Sequence, residues 1–344
     1  MNTLPQNKAN HIDLAAPMPV GGVALRNRVL LAPMSGVSDL PFRERAWAAG
    51  AGAVISEMVA SRGFCDDSPE SRLRAERGTL PQHIVQLAGR DPYWMGEAAR
   101  IAEQAGAAIV DINFGCPAKK VTGAQCGSAL MREPALALKL VEAAVSAVSV
   151  PVTVKMRLGW DYASINAPQI ARDAQNAGAQ MITVHGRTRC QFYEGRADWE
   201  AVAAVRDAIR VPLVVNGDIA SRDDAIAALA QSGADAVMVG RACYGAPWRA
   251  GEIAGVGVEP GPDDICDYVA GHHAALLAHY GEAIGLRVAR KHLGWYADRF
   301  APATTRANAL RGILLTGRDV RAVQVAIREL FAVRRPISRM ADAA

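Results

Sequence analysis

Ala105-Gly106-Ala107-Ala108-Ile109-Val110-Asp111-Ile112-Asn113-Phe114-Gly115-Cys116-Pro117-Ala118-Lys119-Lys120 holds the end of a helix, a strand and the start of a polar loop. A glycine just past the last helical turn takes a left-handed conformation at little steric cost and redirects the chain. The apolar run from Ala107 to Ile112 then reads as a strand, and it stops at a loop carrying an amide, a thiol and two lysines. Gly115 and Pro117 shape the backbone on either side of Cys116. A thiol presented at the mouth of a strand is a candidate acid or nucleophile.

The same helix-to-strand step recurs at Ala51-Gly52-Ala53-Val54, Ala177-Gly178-Ala179-Gln180-Met181 and Ser232-Gly233-Ala234-Asp235-Ala236. Two further strands open on Val150-Pro151 and Val211-Pro212, where a missing N–H does least damage. With a leading strand ending in Pro33-Met34 and another over His83-Ile84-Val85-Gln86-Leu87, eight strands fall near 29–34, 53–58, 83–88, 108–113, 151–157, 181–186, 212–217 and 236–240. Helical patterns lie between them, near 39–50, 92–105, 134–148, 165–177, 198–209 and 221–232, with a looser stretch over 62–80 and a hairpin-like lead from Val20 to Arg28. The strands read as near-continuous apolar runs, as expected where both faces are covered. Eight such units predict an α/β fold, a (β/α)8 TIM barrel. A doubly wound open sheet is the alternative, but no G-x-G-x-x-G follows the first strand.

After Val258 the rhythm stops. Gly257-Val258-Glu259-Pro260-Gly261-Pro262 reads as a linker and Asp263-Asp264 as a helix cap, after which only helical periodicity remains. The expected organisation is a barrel over 1–257 and a small all-helical domain over 258–344. Residues 261–344 carry 12 Lys and Arg against 8 Asp and Glu, whereas 1–260 carry 26 of each, so the whole net charge of +4 belongs to the tail. Arginine-weighted tails bind polyanions, although a solvated helix face looks similar. Arg287, Arg290 and Lys291 share one helix face by their i, i+3, i+4 spacing.

Other expectations are plainer. The start of the chain has no apolar core of signal-peptide length, and no run reaches the ~18 apolar residues of a membrane span. The six cysteines lack any C-x-x-C pair, which speaks against zinc or disulfides and for a reducing compartment. A cytoplasmic, monomeric protein without metal or membrane partner is expected. His272-His273 are read as surface positions of a helix, Trp94, Trp199 and Trp248 as core or rim, and Trp295-Tyr296 as either a packing stripe or a stacking surface for RNA.

Chemistry in such a barrel collects at the C-terminal strand ends. Here these ends carry Pro33-Met34-Ser35, Glu57, Gln86, Asn113 with Cys116, Lys155 with Arg157, His185-Gly186-Arg187, Asn216-Gly217-Asp218 and Gly240-Arg241. The last two groups follow strands seven and eight, where such barrels bind phosphate through backbone N–H groups. Gln86 is suited to an isoalloxazine edge and Lys155 to negative charge on a reduced flavin. Of Lys155 and Arg157 we expect only one to point inward, and take Lys155. Phosphate at one end and an amide-rich, charged lining at the other suggest FMN.

Pro33-Met34-Ser35-Gly36-Val37-Ser38-Asp39-Leu40-Pro41-Phe42-Arg43, the Asp111–Lys120 loop, Lys155-Met156-Arg157-Leu158-Gly159-Trp160, Val184-His185-Gly186-Arg187-Thr188, Asn216-Gly217-Asp218-Ile219 and Val239-Gly240-Arg241 together resemble the tRNA-dihydrouridine synthases. Arg290-Lys291-His292-Leu293-Gly294-Trp295-Tyr296 resembles the tail of their bacterial B-type branch. The resemblance implies an FMN barrel joined to a helical tRNA-binding domain, with NADPH or NADH as electron donor. It implies that Pro33, Met34, Ser35, Gln86, Lys155, His185, Asn216, Gly217, Asp218, Gly240 and Arg241 match flavin-contacting positions and that Cys116 matches the catalytic acid. The reaction it implies is a conjugate reduction, in which hydride goes to uracil C6 and the charge that develops toward C5 is protonated. An ordinary thiol ionises at roughly 8.5 and so carries a proton to give near neutrality. Asn113 is expected to orient the base, and Arg287, Arg290 and Lys291 to meet RNA phosphates. This chain departs from the family pattern at Thr122-Gly123-Ala124-Gln125-Cys126-Gly127, where a basic residue or two is more usual. The competing readings are a dihydropyrimidine- or dihydroorotate-type FMN oxidoreductase, which has no need of an arginine-rich tail, and a non-catalytic RNA-binding barrel, which has no need of an intact set of strand-end residues.

Overall fold

A computed structural model describes residues 13–118, 121–122 and 125–332. The expectations for the first residues of the chain, for Lys119-Lys120 and Gly123-Ala124, and for Arg334, Arg335 and Arg339 of the basic tail lie outside the described residues. The chain divides into two compact units, Met1–Val258 and Glu259–Ala344.

The first unit opens on a hairpin, β1 (Met18–Val20) and β2 (Val23–Leu25), paired antiparallel. The parallel strands that follow are β3 (Val29–Leu31), β4 (Ala53–Val54), β5 (Val59–Ala60), β6 (Ile84–Ala88), β7 (Ile109–Phe114), β8 (Val152–Arg157), β9 (Met181–His185), β10 (Leu213–Asn216) and β11 (Ala236–Val239). Their order is β4-β3-β11-β10-β9-β8-β7-β6-β5. β4 and β5 are two parts of one barrel position, since β4 pairs with β3, β5 pairs with β6, and Ile55 between them bridges Ile84. The sheet therefore closes with eight strand positions, and the expected second strand over 53–58 is interrupted by the Ser56-Glu57-Met58 segment. Helices Leu40–Ala48, Pro92–Gln104, Pro134–Ala147, Ala167–Asn176, Ala203–Ala208 and Arg222–Ser232 cover the outside. The loose 62–80 stretch forms two short helices, Ser61–Cys65 and Pro69–Ala75.

The helix-to-strand glycines behave as expected at Gly106, Gly178 and Gly233, with φ of 85°, 107° and 64°. At the first step the left-handed glycine is Gly50 (φ 102°), not Gly52. Gly52 is needed for another reason, because a Cβ there would lie 2.3 Å from the Asn27 carbonyl oxygen.

Inward-facing side chains change character along the barrel axis. Leu30, Ala53, Ile84, Ile109, Met181, Val214 and Ala236 fill the lower half, against Met18, Val20 and Leu25 of the hairpin. One strand period further on, the same faces carry Gln86, Asp111 and Thr153, all buried, and then Asn113, Lys155 and His185. The strands alternate toward their C-terminal ends; the inner face there is polar, and only the outer face is apolar throughout.

In the second unit, helices Ile265–Tyr280, Glu282–Phe300, Thr305–Thr316 and Val320–Phe331 pack in sequence, the last returning onto the first. His272 and His273 are buried, a correction to the surface positions expected of them. The first helix turns His272 toward the second, where its Nδ1 and the Tyr296 hydroxyl are hydrogen-bonded at 2.9 Å. Tyr296 is thereby a packing residue, and Trp295 sets its edge against His292 with ring centroids 5.3 Å apart. Among the described residues no helix is long and apolar enough to cross a membrane.

Buried histidines link this packing to pH. Burial, then the charge of Arg43, lowers His83 to about 4 against the opposing Ala75 carbonyl, and burial with Lys291 lowers His292 to about 3. Between those values and the unfolded ~6.5, the unfolded chain binds protons that the native one refuses. Stability is therefore full above that upper value and falls as pH falls. Each histidine should cost about 2 kcal/mol at pH 5. Urea unfolding of wild type and His83→Leu at pH 7.5 and 5 checks this: the variant should lose less of the barrel's stability on acidification, and equal losses would contradict it.

Candidate active site

A cavity of about 960 Å³ opens at the C-terminal ends of the strands. Pro33, Met34, Ser35, Gln86, Asn113, Cys116, Lys155, His185, Asn216, Gly217, Asp218, Gly240 and Arg241 all line it, so the barrel residues matched to flavin or catalysis fall in one place, while Glu57, Gly186 and Arg187 of the strand ends do not line it. Arg157, Tyr193 and Tyr244 line it as well, and the sequence reading did not assign them. Lys155 and Arg157 both face inward, contrary to the expectation that one would turn away. Residues two apart on a strand share a face, so the pair had to go together. Among the described residues no cluster of three His, Cys, Asp or Glu is placed to hold a metal ion.

The loop after β7 is held from three sides. The Asn113 Oδ1 accepts from the Gly115 and Cys116 N–H groups at 3.0 and 2.9 Å. The Cys116 carbonyl accepts from the Ser128 hydroxyl at 2.8 Å and from its N–H at 3.1 Å. Arg157 Nε donates to the Gly115 carbonyl at 2.9 Å, while its Nη1 donates to the carbonyls of Thr188 and Phe192. The thiol is thus carried on a fixed backbone, half-buried at the cavity wall.

Beneath the loop, Asn113 Nδ2 donates to Gln86 Oε1 at 2.7 Å and Gln86 Nε2 donates to Asp111 Oδ2 at 2.7 Å. The Thr153 hydroxyl donates to Asp111 Oδ1 at 2.6 Å. Burial pushes the Asp111 carboxyl up to about 6 against these bonds and the charge of Lys155. Burial, then Arg157, brings Lys155 down to about 8, with Asp111 and Cys116 opposing. At neutral pH both remain mainly charged, and Lys155 Nζ donates to Asn216 Oδ1 at 3.1 Å.

The far side is built around Asp218, which takes a left-handed φ of 55°. Its carboxylate accepts from Arg187 Nη2 and the Ala197 N–H on one oxygen and from Arg241 on the other. Burial alone would raise this carboxyl, but those hydrogen bonds and the two guanidinium charges hold it below its usual value. Arg187 Nη1 reaches His185 Nε2 at 3.2 Å. A guanidinium has no lone pair to offer, so that nitrogen is the acceptor and the ring is neutral. Burial and the surrounding cations Arg157, Lys155, Arg187 and Arg241 hold His185 well below its ordinary value. Gly217 has φ 117°, and a Cβ there would fall 2.8 Å from His185 Cδ2. Trp199 Nε1 donates to the Gly217 carbonyl, which places this tryptophan under the rim, whereas Trp248 is core.

The tail residues are not equivalent. Arg287 is exposed, but Arg290 Nη2 donates to the carbonyls of Thr316 and Gly317 and so caps the C-terminus of helix Thr305–Thr316. Lys291 is half-buried. Among the described residues of this unit, Arg287, Arg318 and Arg321 are exposed cations without an acidic partner in ion-pairing reach.

Comparison with known proteins gives a consistent result. Residues 30–329 match the family model described as dihydrouridine synthase. The chain is 58% identical over 301 residues to a probable tRNA-dihydrouridine synthase of Rhizobium leguminosarum bv. phaseoli, covering 88% of this chain and 94% of that one. It is 43% identical over 331 residues to the tRNA-dihydrouridine synthase B of Pseudomonas putida, covering 92% and 95%. In three dimensions it is similar to morphinone reductase, with a TM-score of 0.52 at 15% identity over 75% of this chain and 93% of that one, a likeness of fold.

The tightness of the thiol loop can be tested directly. Gly127 has φ 60°, and a Cβ there would lie 2.8 Å from the Cys116 carbonyl oxygen. Gly195 has nearly the same φ, 62°, with nothing within 4 Å. Both alanine variants should lose about 1 kcal/mol to backbone conformation, but only Gly127→Ala should change the rate at which iodoacetamide alkylates Cys116, read by peptide mass spectrometry. Equal rates in both variants would mean that the loop does not depend on this close approach.

Proposed function

The chain belongs to the dihydrouridine synthase family and reduces the C5=C6 bond of uridines in tRNA; from that premise we propose how its residues divide the work. FMN is the group the barrel cavity takes up. The donor set fits it. Lys155, a neutral His185 and the glycine turns at Gly217 and Gly240 all line the same cavity. Gly240 supports this reading, because a Cβ there would meet nothing closer than Ala32 and Met34 at 3.8 Å. The space beside this backbone is therefore open for a phosphate to approach. Asp218 carries negative charge and suits a supporting role, holding Arg187 and Arg241 in place while backbone N–H groups and Arg241 meet the phosphate.

When bound and reduced by NADPH or NADH, FMN supplies the hydride that uracil C6 receives. Cys116 holds the proton at Sγ and gives it to C5 as charge develops there. Asn113 has both lone pairs committed to the loop and one amide hydrogen committed to Gln86, which leaves one N–H to meet a carbonyl of the base. Lys155 and Arg157 supply positive charge to the same wall, which favours the electron-rich transition state. The observation that carries this reading is the Cys116 loop, fixed on three sides and open to the cavity on the fourth. Cys116→Ala should retain flavin and tRNA affinity yet slow single-turnover uridine reduction roughly 10²- to 10⁴-fold. Cys126→Ala should have little effect. Near-normal reduction by Cys116→Ala would remove the assignment.

The helical unit holds tRNA by phosphate contacts. Its exposed cations Arg287, Arg318 and Arg321 are the ones to test, since Arg290 is spent on carbonyls. Each lost phosphate contact lowers the slope of log affinity against log salt by about 0.7 to 0.9. Replacing Arg287, Arg318 and Arg321 by alanine should flatten that slope by up to about 2.7 while leaving NADPH oxidation without tRNA unchanged. An unchanged slope would place the RNA elsewhere.

A further inference from the structure

Beneath the cavity wall lies a buried acid with no part in the chemistry above. Asp111 lies on β7 directly across from Gln86 of β6 and Thr153 of β8, two residues before Asn113 on the same inward face. It is 4% exposed. Its two oxygens take one hydrogen each, from Thr153 and from Gln86, and the next links run Gln86 to Asn113 to the N–H groups of Gly115 and Cys116.

We infer that Asp111 is a positioning residue that sets the direction of this amide chain and, through Gln86 and Asn113, the place of the Cys116 loop. The inference rests on the proposed role of Cys116 as proton donor. Its logic is one of donors and acceptors. An ionised carboxylate has no hydrogen to give, so Gln86 must turn its NH₂ toward Asp111. Gln86 Oε1 then faces Asn113 and demands its NH₂. That leaves the Asn113 oxygen for the two loop N–H groups, which can only donate. Without the carboxylate Gln86 loses the acceptor for its NH₂, and both amides are then oriented from the loop end alone. A reversed Asn113 would set an NH₂ against two N–H donors, and the loop would lose its anchor at a cost of about 1–3 kcal/mol for unsatisfied groups. The hydrogen that Asn113 offers the base would become a lone pair at the same time.

A role of this kind is measurable apart from catalysis. In Asp111→Leu, alkylation of Cys116 by iodoacetamide in the purified protein should speed up several-fold, because the thiol leaves its fixed position. Single-turnover uridine reduction should slow roughly 10- to 100-fold, the size expected when a reacting group is misplaced by about an ångström. Asp111→Asn, which keeps one acceptor, should fall between wild type and Asp111→Leu. The decisive comparison adds Asn113→Ala. If Asp111 acts through Asn113, the double variant should be no slower than Asn113→Ala alone. Should Asp111→Leu fail to fold, the same cycle with Asp111→Asn decides the matter. Reduction within two-fold of wild type in the Asp111 variants, or losses that multiply in full with Asn113→Ala, would overturn the inference while leaving the role of Cys116 intact. If Cys116→Ala itself reduces tRNA normally, it is the underlying reading that fails.

Discussion

A carboxylate enclosed in a barrel must find hydrogen-bond donors or give up its charge. Asp111 meets that condition with Thr153 and Gln86, and its satisfaction determines which way the neighbouring amides point. From there the order spreads upward. Gln86 fixes Asn113, Asn113 fixes the turn at Gly115-Cys116, and Arg157 and Ser128 hold the same turn from its other sides. The apolar lower half of the barrel makes this possible, because Leu30, Ile84, Ile109, Met181 and Val214 leave no water below to compete for the carboxylate. A polar network held in this way is stiff, and stiffness at a proton donor is what catalysis requires.

The cavity as a whole poses the reverse problem, an excess of positive charge. Lys155, Arg157, Arg187 and Arg241 all point into or around one cavity. Two of them spend their guanidinium groups on backbone carbonyls, Arg157 on Gly115, Thr188 and Phe192, and Arg187 on Glu194 and Gly195. Neutralising a carbonyl leaves the charge itself in place, so the cavity keeps a positive field for an anionic ligand. Asp218 is the counter-charge that keeps Arg187 and Arg241 from repelling each other, and it accepts a left-handed backbone to reach both together. His185, surrounded by these cations, stays neutral and serves as an acceptor.

Much of this was legible in the sequence, and the reasons are physical. Gly106, Gly178 and Gly233 mark helix ends because only glycine turns left-handed without cost, and that repeat, with the Ala51-Gly52 step, marked four of the barrel's eight units. Strand-end residues announced the cavity because polar side chains interrupt apolar runs there. What escaped depended on packing that spacing does not encode. Gly52 looked like a helix stop but answers to Asn27, far from it in sequence, while Gly50 makes the turn. His272 and His273 looked solvated, yet both are buried, His272 against the second helix. Asp111 was overlooked within an apolar run, although its two-residue offset from Asn113 placed it on the same inner face. Lys155 and Arg157 carried the same signal.

The account comes to one reaction at one site, the transfer of hydrogen to a uridine across the cavity that Cys116 borders. Its most direct test is to incubate the purified chain, loaded with FMN, with unmodified tRNA and NADPH, and to map the product by nucleoside mass spectrometry. The account predicts dihydrouridine at discrete uridine positions, formed in step with NADPH oxidation. Flavin that NADPH reduces normally, with no uridine gaining hydrogen in any tRNA offered, would contradict it.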